Sequence, residues 1–125
     1  MKLTPGEFDE IATRAIGRIP EELRKYIDNV VISVQKEPSA ELLEEMGMDA
    51  EEDTLLGLYQ GVALTERSAT DPPLFPDTIF LFQEPIEEIC DTIEEIEEEI
   101  EITVVHEIAH YFGIDEDRLA ELGYG

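Results

Sequence analysis

Residues 104–116 read VVHEIAHYFGIDE, and this stretch decides how the fold is interpreted. It contains both histidines of the chain, His106 and His110, with Glu107 directly after the first. At about 100° per residue, positions i and i+4 of an α-helix lie on the same face, one turn apart. Both imidazole rings are therefore expected to point the same way. Polar groups placed together on a buried helix need partners, because burying them unpaired costs free energy.

The residues before this stretch predict a long amphipathic helix over residues 92–112. Residues 84–101 contain ten acidic side chains and no basic one. Apolar residues nevertheless recur there every three or four positions, which predicts one apolar stripe with the glutamates on the solvated face. The stripe comprises Ile89, Ile93, Ile96, Ile100 and Val104.

Beyond Ile100 the apolar residues spread around the helix, so its second half is expected to enter the core. One sector of the helix surface stays polar, and it has two alternative interpretations. The histidines are either neutral packing residues bonded to nearby carbonyls, or two ligands of a zinc ion. Imidazole nitrogens at i and i+4 can share zinc at about 2.0–2.1 Å, and the intervening glutamate of His-Glu-x-x-His acts as a general base. The zinc interpretation is favoured. The sector contains Thr103, His106, Glu107 and His110.

A catalytic zinc ion on two histidines needs a third protein ligand, with water in the fourth position. Gly113 follows His110 by three residues, and glycine can adopt the left-handed conformation that ends a helix. The turn is expected to carry three consecutive acidic residues back toward the histidines, and each offers an oxygen ligand. They are Asp115, Glu116 and Asp117.

The sequence HEIAHYFGIDEDRL resembles the signature of the minimal zincins, a family of small bacterial proteins described as predicted zinc metallopeptidases. It is also similar to the long motif of the metzincins. No methionine follows the motif, so a full metzincin with its methionine turn is not expected. The motif positions are filled by His106, Glu107, His110, Gly113 and Glu116.

The resemblance implies one Zn²⁺ per chain, held by His106, His110 and Glu116, with Glu107 as the catalytic base. Glu116 departs from the aspartate that the family usually has at this place. Asp117 is therefore the second choice for the third ligand, and Asp115 is the next.

The resemblance also implies an α+β, minimal zincin-like fold in a single domain over residues 1–125. A small three- to four-stranded sheet would pack on an active-site helix and a backing helix. The apolar patterns agree, because they predict strands over residues 30–35, 54–60 and 78–83. In zincins an edge strand pairs with an extended peptide, and residues 78–83 are the candidate; the alternative is that they form an ordinary core strand without substrate contact. Residues 65–77, with three prolines, are predicted to form a surface loop.

The formal net charge of −24 disfavours nucleic acid and anionic membranes as partners. No stretch approaches the roughly 18 apolar residues of a membrane span, and no signal peptide is expected. The single cysteine, Cys90, fits a reducing cytoplasm, the expected location. Apolar neighbours predict Cys90 as a core residue and not as a catalytic thiol.

The function predicted from these features is that of a zinc-dependent metallopeptidase, which hydrolyses a peptide or protein substrate through a zinc-activated water. The alternative is a zinc-binding protein without hydrolytic activity that acts as a regulatory or interaction module. A third possibility is an acidic partner-binding domain without a metal. Tyr111 is predicted to pack, and Tyr124 is a candidate to assist the oxyanion. The oligomeric state is left open.

Overall fold

The computed structural model describes residues 2–49, 55–61 and 77–124. These residues form an α+β fold, as the sequence predicts. A short 3-10 turn at Lys25–Ile27 follows the second helix. The helices are α1 (Pro5–Gly17), α2 (Glu21–Arg24), α3 (Ala40–Glu45), α4 (Gln83–Ile89), α5 (Ile93–Phe112) and α6 (Glu116–Glu121), and the strands are β1 (Val31–Gln35), β2 (Gly57–Gln60) and β3 (Thr78–Phe82).

The described strands form one three-stranded sheet with β3 at its centre. Their order is β1-β3-β2, with β1 parallel and β2 antiparallel to β3. The prediction that residues 78–83 form the edge strand is therefore wrong. β3 is apolar on both faces, and both Ile79 and Leu81 are completely buried, as expected of a strand enclosed by its neighbours. In the described part of the sheet, β2 is an edge strand that contacts α5.

The long helix α5 begins and ends where the sequence predicts. The Thr92 hydroxyl accepts a hydrogen bond from the Glu95 N–H group and caps its start. The stripe residues Ile96, Ile100 and Val104 are completely buried. They share one core with residues of α1, the predicted backing helix.

The first two residues of the predicted stripe are exposed and do not pack in the core. Ile89 is 58% exposed and Ile93 is 40% exposed. Ile89 belongs to α4, which ends there, and the chain is extended at Cys90, so Ile89 is not in the helical register of α5. Ile93 is the first residue of α5 and lies at its exposed end. Cys90 itself is buried, as predicted, and this burial together with nearby carboxylates raises the pKa of its thiol.

The backing helix α1 starts with a capping box. The Thr4 hydroxyl accepts the Glu7 N–H, and the Glu7 carboxylate accepts the Thr4 N–H. These hydrogen bonds favour the ionised carboxylate and lower the pKa of Glu7. Four α1 side chains then enter the core: Phe8, Ile11, Ala12 and Ala15.

Two further expectations concern the surface of the molecule. Apart from Asp77, the predicted loop at residues 65–77 lies outside the described residues. Among the helices that the structure describes, none is both long and apolar enough to cross a membrane.

Replacing Ile100 by alanine should lower the free energy of unfolding by about 2–5 kcal/mol, because it leaves a cavity in a fully buried site. Ile93→Ala removes the same atoms from the same helix where they are 40% exposed, so its effect should be clearly smaller. Urea unfolding of both variants measures the difference. Equal losses would contradict the assignment of α5 as the centre of the core.

Candidate metal centre

The C-terminal end of α5 brings the predicted site residues to one corner of the molecule. The helix stops at Gly113, whose φ of 71° and ψ of 33° are left-handed, as predicted. The Ile114 N–H then donates to the Ala109 carbonyl oxygen at 2.9 Å. This turn directs the chain into α6, so the acidic residues that follow lie close to the end of α5.

One open pocket of about 530 Å³ is lined by His106, His110 and Glu116. Both histidines are exposed, and the His110 side chain retains 83% of its accessible surface. The expectation of a polar sector enclosed within a buried helix is therefore wrong for the histidines, because the side of α5 that carries them faces the open pocket. The pocket is otherwise lined by Ile102, Ala109, Ile114, Leu119, Gly123 and Tyr124.

The three acidic candidates for the third ligand occupy different places. The Asp115 carboxylate caps α6 by accepting the Arg118 N–H at 2.8 Å. Glu116 lines the pocket with the histidines, whereas Asp117, which is exposed like Glu116, is not among the residues that line it. Of the three candidates, Glu116, the first choice from the motif, therefore shares the pocket with the histidines.

These side chains do not form a closed metal cage. Across residues 2–49, 55–61 and 77–124, no three His, Cys, Asp or Glu side chains are grouped closely enough to hold a metal ion. The pocket therefore collects two imidazoles and a carboxylate without bringing them into a coordination shell.

Glu107 is not among the residues that line this pocket; it lies beside the edge strand and next to His110. Its Oε1 atom accepts the backbone N–H of Tyr59 at 2.9 Å, and its Oε2 atom lies 3.9 Å from Nδ1 of His110. The Phe82 N–H donates to the Leu56 carbonyl, so the alternation of an antiparallel pair directs the Tyr59 N–H away from β3. The outer edge of β2 therefore holds the Glu107 carboxylate beside His110.

A second contact fixes β2 against α5. The Tyr111 ring stacks on the Tyr59 ring with centroids 3.9 Å apart, so the predicted packing role of Tyr111 is confirmed, although the residue is 45% exposed. The Tyr111 hydroxyl occupies the position that a Cβ atom on Gly61 would need. Gly61 therefore permits the close approach of the strand to the helix.

Tyr59 was not predicted from the sequence, because this residue contributes a backbone N–H to the site and no side-chain motif indicates it. A weak signal was available. Gly57 begins β2 and Gly61 follows it, and glycine beside a strand often marks a close approach of two backbones or elements.

Tyr124 lines the pocket, but its hydroxyl donates to Oε2 of Glu101 at 2.5 Å. Burial and this hydrogen bond raise the pKa of Tyr124, so the phenol stays protonated at neutral pH. Its proton is engaged by Glu101 and is not free to bind an oxyanion. This geometry does not favour the predicted role of Tyr124 in oxyanion stabilisation.

The sequence of residues 27–125 matches the family model described as zincin-like metallopeptidase. The chain belongs to the zincin-like metallopeptidase family. This match covers most of the chain and includes the whole corner that carries the two histidines. It confirms the family suggested by the residues 106–116 motif and supports metallopeptidase chemistry in general terms.

A solved structure supports the same fold. A conserved hypothetical protein from T. thermophilus is similar to this zincin-like chain, with a TM-score of 0.56 and 22% sequence identity. The similarity covers 94% of this chain and 98% of the other. At this identity the similarity shows the fold alone. No curated protein is significantly similar to the chain in sequence.

Gly113→Ala should lower the free energy of unfolding by about 1–2 kcal/mol, because a Cβ atom is disfavoured in the left-handed conformation. No neighbouring atom would clash with it, so the backbone conformation alone accounts for the cost. Gly6→Ala is the control, since Gly6 lies in α1 with open space around it and should gain about 0.5–1 kcal/mol. Thermal unfolding of both variants measures this, and no loss in Gly113→Ala would contradict the assigned turn.

Proposed function

We propose that this chain is a zinc-dependent metallopeptidase that hydrolyses peptide bonds. The observation that carries the proposal is the pocket shared by His106, His110 and Glu116, with the Glu107 carboxylate 3.9 Å from His110. Membership of the zincin-like metallopeptidase family supports the same reaction class.

The donor set suits zinc. Two imidazoles and one glutamate carboxylate make up a known set of ligands for catalytic zinc, and all three line one pocket. His106, His110 and Glu116 would hold one zinc ion per chain. When bound, this ion would supply Lewis-acid activation of a water molecule and of the scissile carbonyl group.

Glu107 is assigned as the general base, because the two oxygens of its carboxylate have different surroundings. The Tyr59 N–H fixes Oε1, whereas Oε2 is directed toward His110. We assign proton transfer to Oε2, which would take a proton from the attacking water and pass it to the leaving amine. The hydrogen bond from Tyr59 orients the carboxylate for both transfers.

The proposed substrate is a peptide or protein segment in extended conformation. β2 is the edge strand beside Glu107, so its outward backbone groups other than the Tyr59 N–H replace residues 78–83 as the proposed peptide-binding edge. The net charge of −24 favours substrates with basic character and disfavours nucleic acid. We place this activity in the cytoplasm, on the basis of the single unpaired cysteine.

A zinc-binding protein without hydrolytic activity is the second candidate. The observation that favours it is the exposure of the site, because the His110 side chain keeps 83% of its accessible surface, whereas a closed catalytic site excludes water. In that case the same three ligands would bind zinc, and the pocket would serve a regulatory or interaction role.

Glu107→Gln should lower kcat by at least about 100-fold, because the amide cannot accept the proton of the attacking water. Bound zinc should be retained, since Glu107 is not one of the proposed ligands. Digestion of a peptide library, read by mass spectrometry, measures cleavage by the zinc-loaded protein. Glu98→Gln makes the same change in charge at an exposed position of α5 and should leave cleavage unchanged.

The two candidates give different results in this experiment. Cleavage that survives Glu107→Gln unchanged would contradict the role assigned to Glu107. Zinc binding by the wild-type chain without cleavage of any library peptide would favour the second candidate.

A further inference from the structure

Helix α6 carries Glu116 and forms one wall of the metal pocket, but it buries little of its own surface. α6 has six residues, and Leu119 is its buried side chain. After α6 the chain turns at Gly123, whose φ is 95°, and the Tyr124 N–H donates to the Leu119 carbonyl at 2.8 Å. This turn places the Tyr124 ring against the pocket, next to α5.

A chain of polar contacts joins this turn to the body of the protein. The Tyr124 hydroxyl donates to Oε2 of Glu101 at 2.5 Å, and Nε of Arg18 lies 3.0 Å from Oε1 of the same carboxylate. The Glu101 side chain is only 13% exposed, so water and salt screen these contacts less than they would at the surface. We call Tyr124, Glu101 and Arg18 the tyrosine clasp; it links the end of α6 to α5 and α1.

We propose that the tyrosine clasp positions α6 so that Glu116 can meet the metal ion held by His106 and His110. This inference rests on the proposed zinc site. Glu116 is the first residue of α6, the left-handed turn at Gly113 fixes one end of this segment, and the clasp fixes the other. A segment fixed at both ends keeps the carboxylate at the pocket.

The contacts of Tyr124 define it as a positioning residue. Its hydroxyl group already donates a hydrogen bond to Glu101. Tyr124 therefore affects the metal only through the position of Glu116. Loss of the Tyr124 hydroxyl should therefore weaken zinc binding only when residue 116 is a zinc ligand. This conditional effect separates positioning from a direct contribution of Tyr124 to metal binding.

The test is a cycle of zinc affinities for the wild type, Tyr124→Phe, Glu116→Gln and the double variant, each measured by competition with a chromogenic chelator. Tyr124→Phe should weaken zinc binding about 10-fold in the wild-type background, as expected when a supporting residue of a metal ligand is lost. In the Glu116→Gln background it should have no further effect. Tyr26→Phe removes a hydroxyl from a tyrosine whose ring packs on Phe112 and should leave zinc affinity unchanged.

Two results of the cycle would overturn the proposal. One is equal weakening by Tyr124→Phe in both backgrounds, which would mean that Tyr124 acts independently of Glu116. The other is an unchanged affinity in the wild-type background, which would mean that the clasp does not position the ligand.

Hydrogen exchange of the metal-free protein tests the clasp without zinc. Tyr124→Phe should speed amide exchange in α6 by about 10-fold or more, since a hydrogen bond to a charged group is lost, while exchange in α1 stays unchanged. Unchanged exchange in α6 would overturn the clasp. A wild-type chain that binds no zinc would instead overturn the proposed function and, with it, the role of the clasp in metal binding.

Discussion

The burial of α5 is the constraint on which the rest of the structure depends. Ile96, Ile100 and Val104 are completely buried, and this fixes the rotation of the helix about its axis. At about 100° per residue, that rotation places His106 about 120° and His110 about 80° from Ile100, off the buried stripe and on the open side. The stripe continues to Tyr111, which stacks on Tyr59 of β2. One buried face therefore determines where the histidines point and where the edge strand lies.

The distribution of charge follows from the same arrangement. The chain has only 8 basic residues against 32 acidic ones, and several of them join different elements. Arg14 and Arg18 pair with Glu97 across α1 and α5, Arg118 pairs with Glu22 of α2, and Lys36 pairs with Glu84 of α4. Exposed pairs of this kind contribute at most about 1 kcal/mol each, so the core supplies the stability while these pairs orient the elements.

The features that the sequence predicted correctly are local ones. The start of α5 at Thr92 and its end at the left-handed Gly113 depend on residues within a few positions of each other. For this reason their side-chain chemistry is visible in a short stretch of sequence. The His-Glu-x-x-His spacing is also local. It predicted the family, and the match over residues 27–125 shows that the chain belongs to it.

The features that could not be predicted from the sequence are contacts between distant parts of the chain. The position of β3 at the centre of the sheet depends on pairing with two strands far away in sequence. The bond from the Tyr59 N–H to Glu107 joins residues 48 positions apart, and any residue except proline could donate it. The bond from Tyr124 to Glu101 spans 23 positions, and no periodic pattern distinguishes Glu101 from the glutamates around it.

If the corner formed by α5 and α6 is a zinc site, protein purified without a histidine tag should contain the metal. The decisive measurement is its metal content per chain, by elemental mass spectrometry. We expect close to one zinc ion per chain. A content near zero that persists after incubation with zinc and dialysis would contradict it, and the two exposed histidines would then need another explanation.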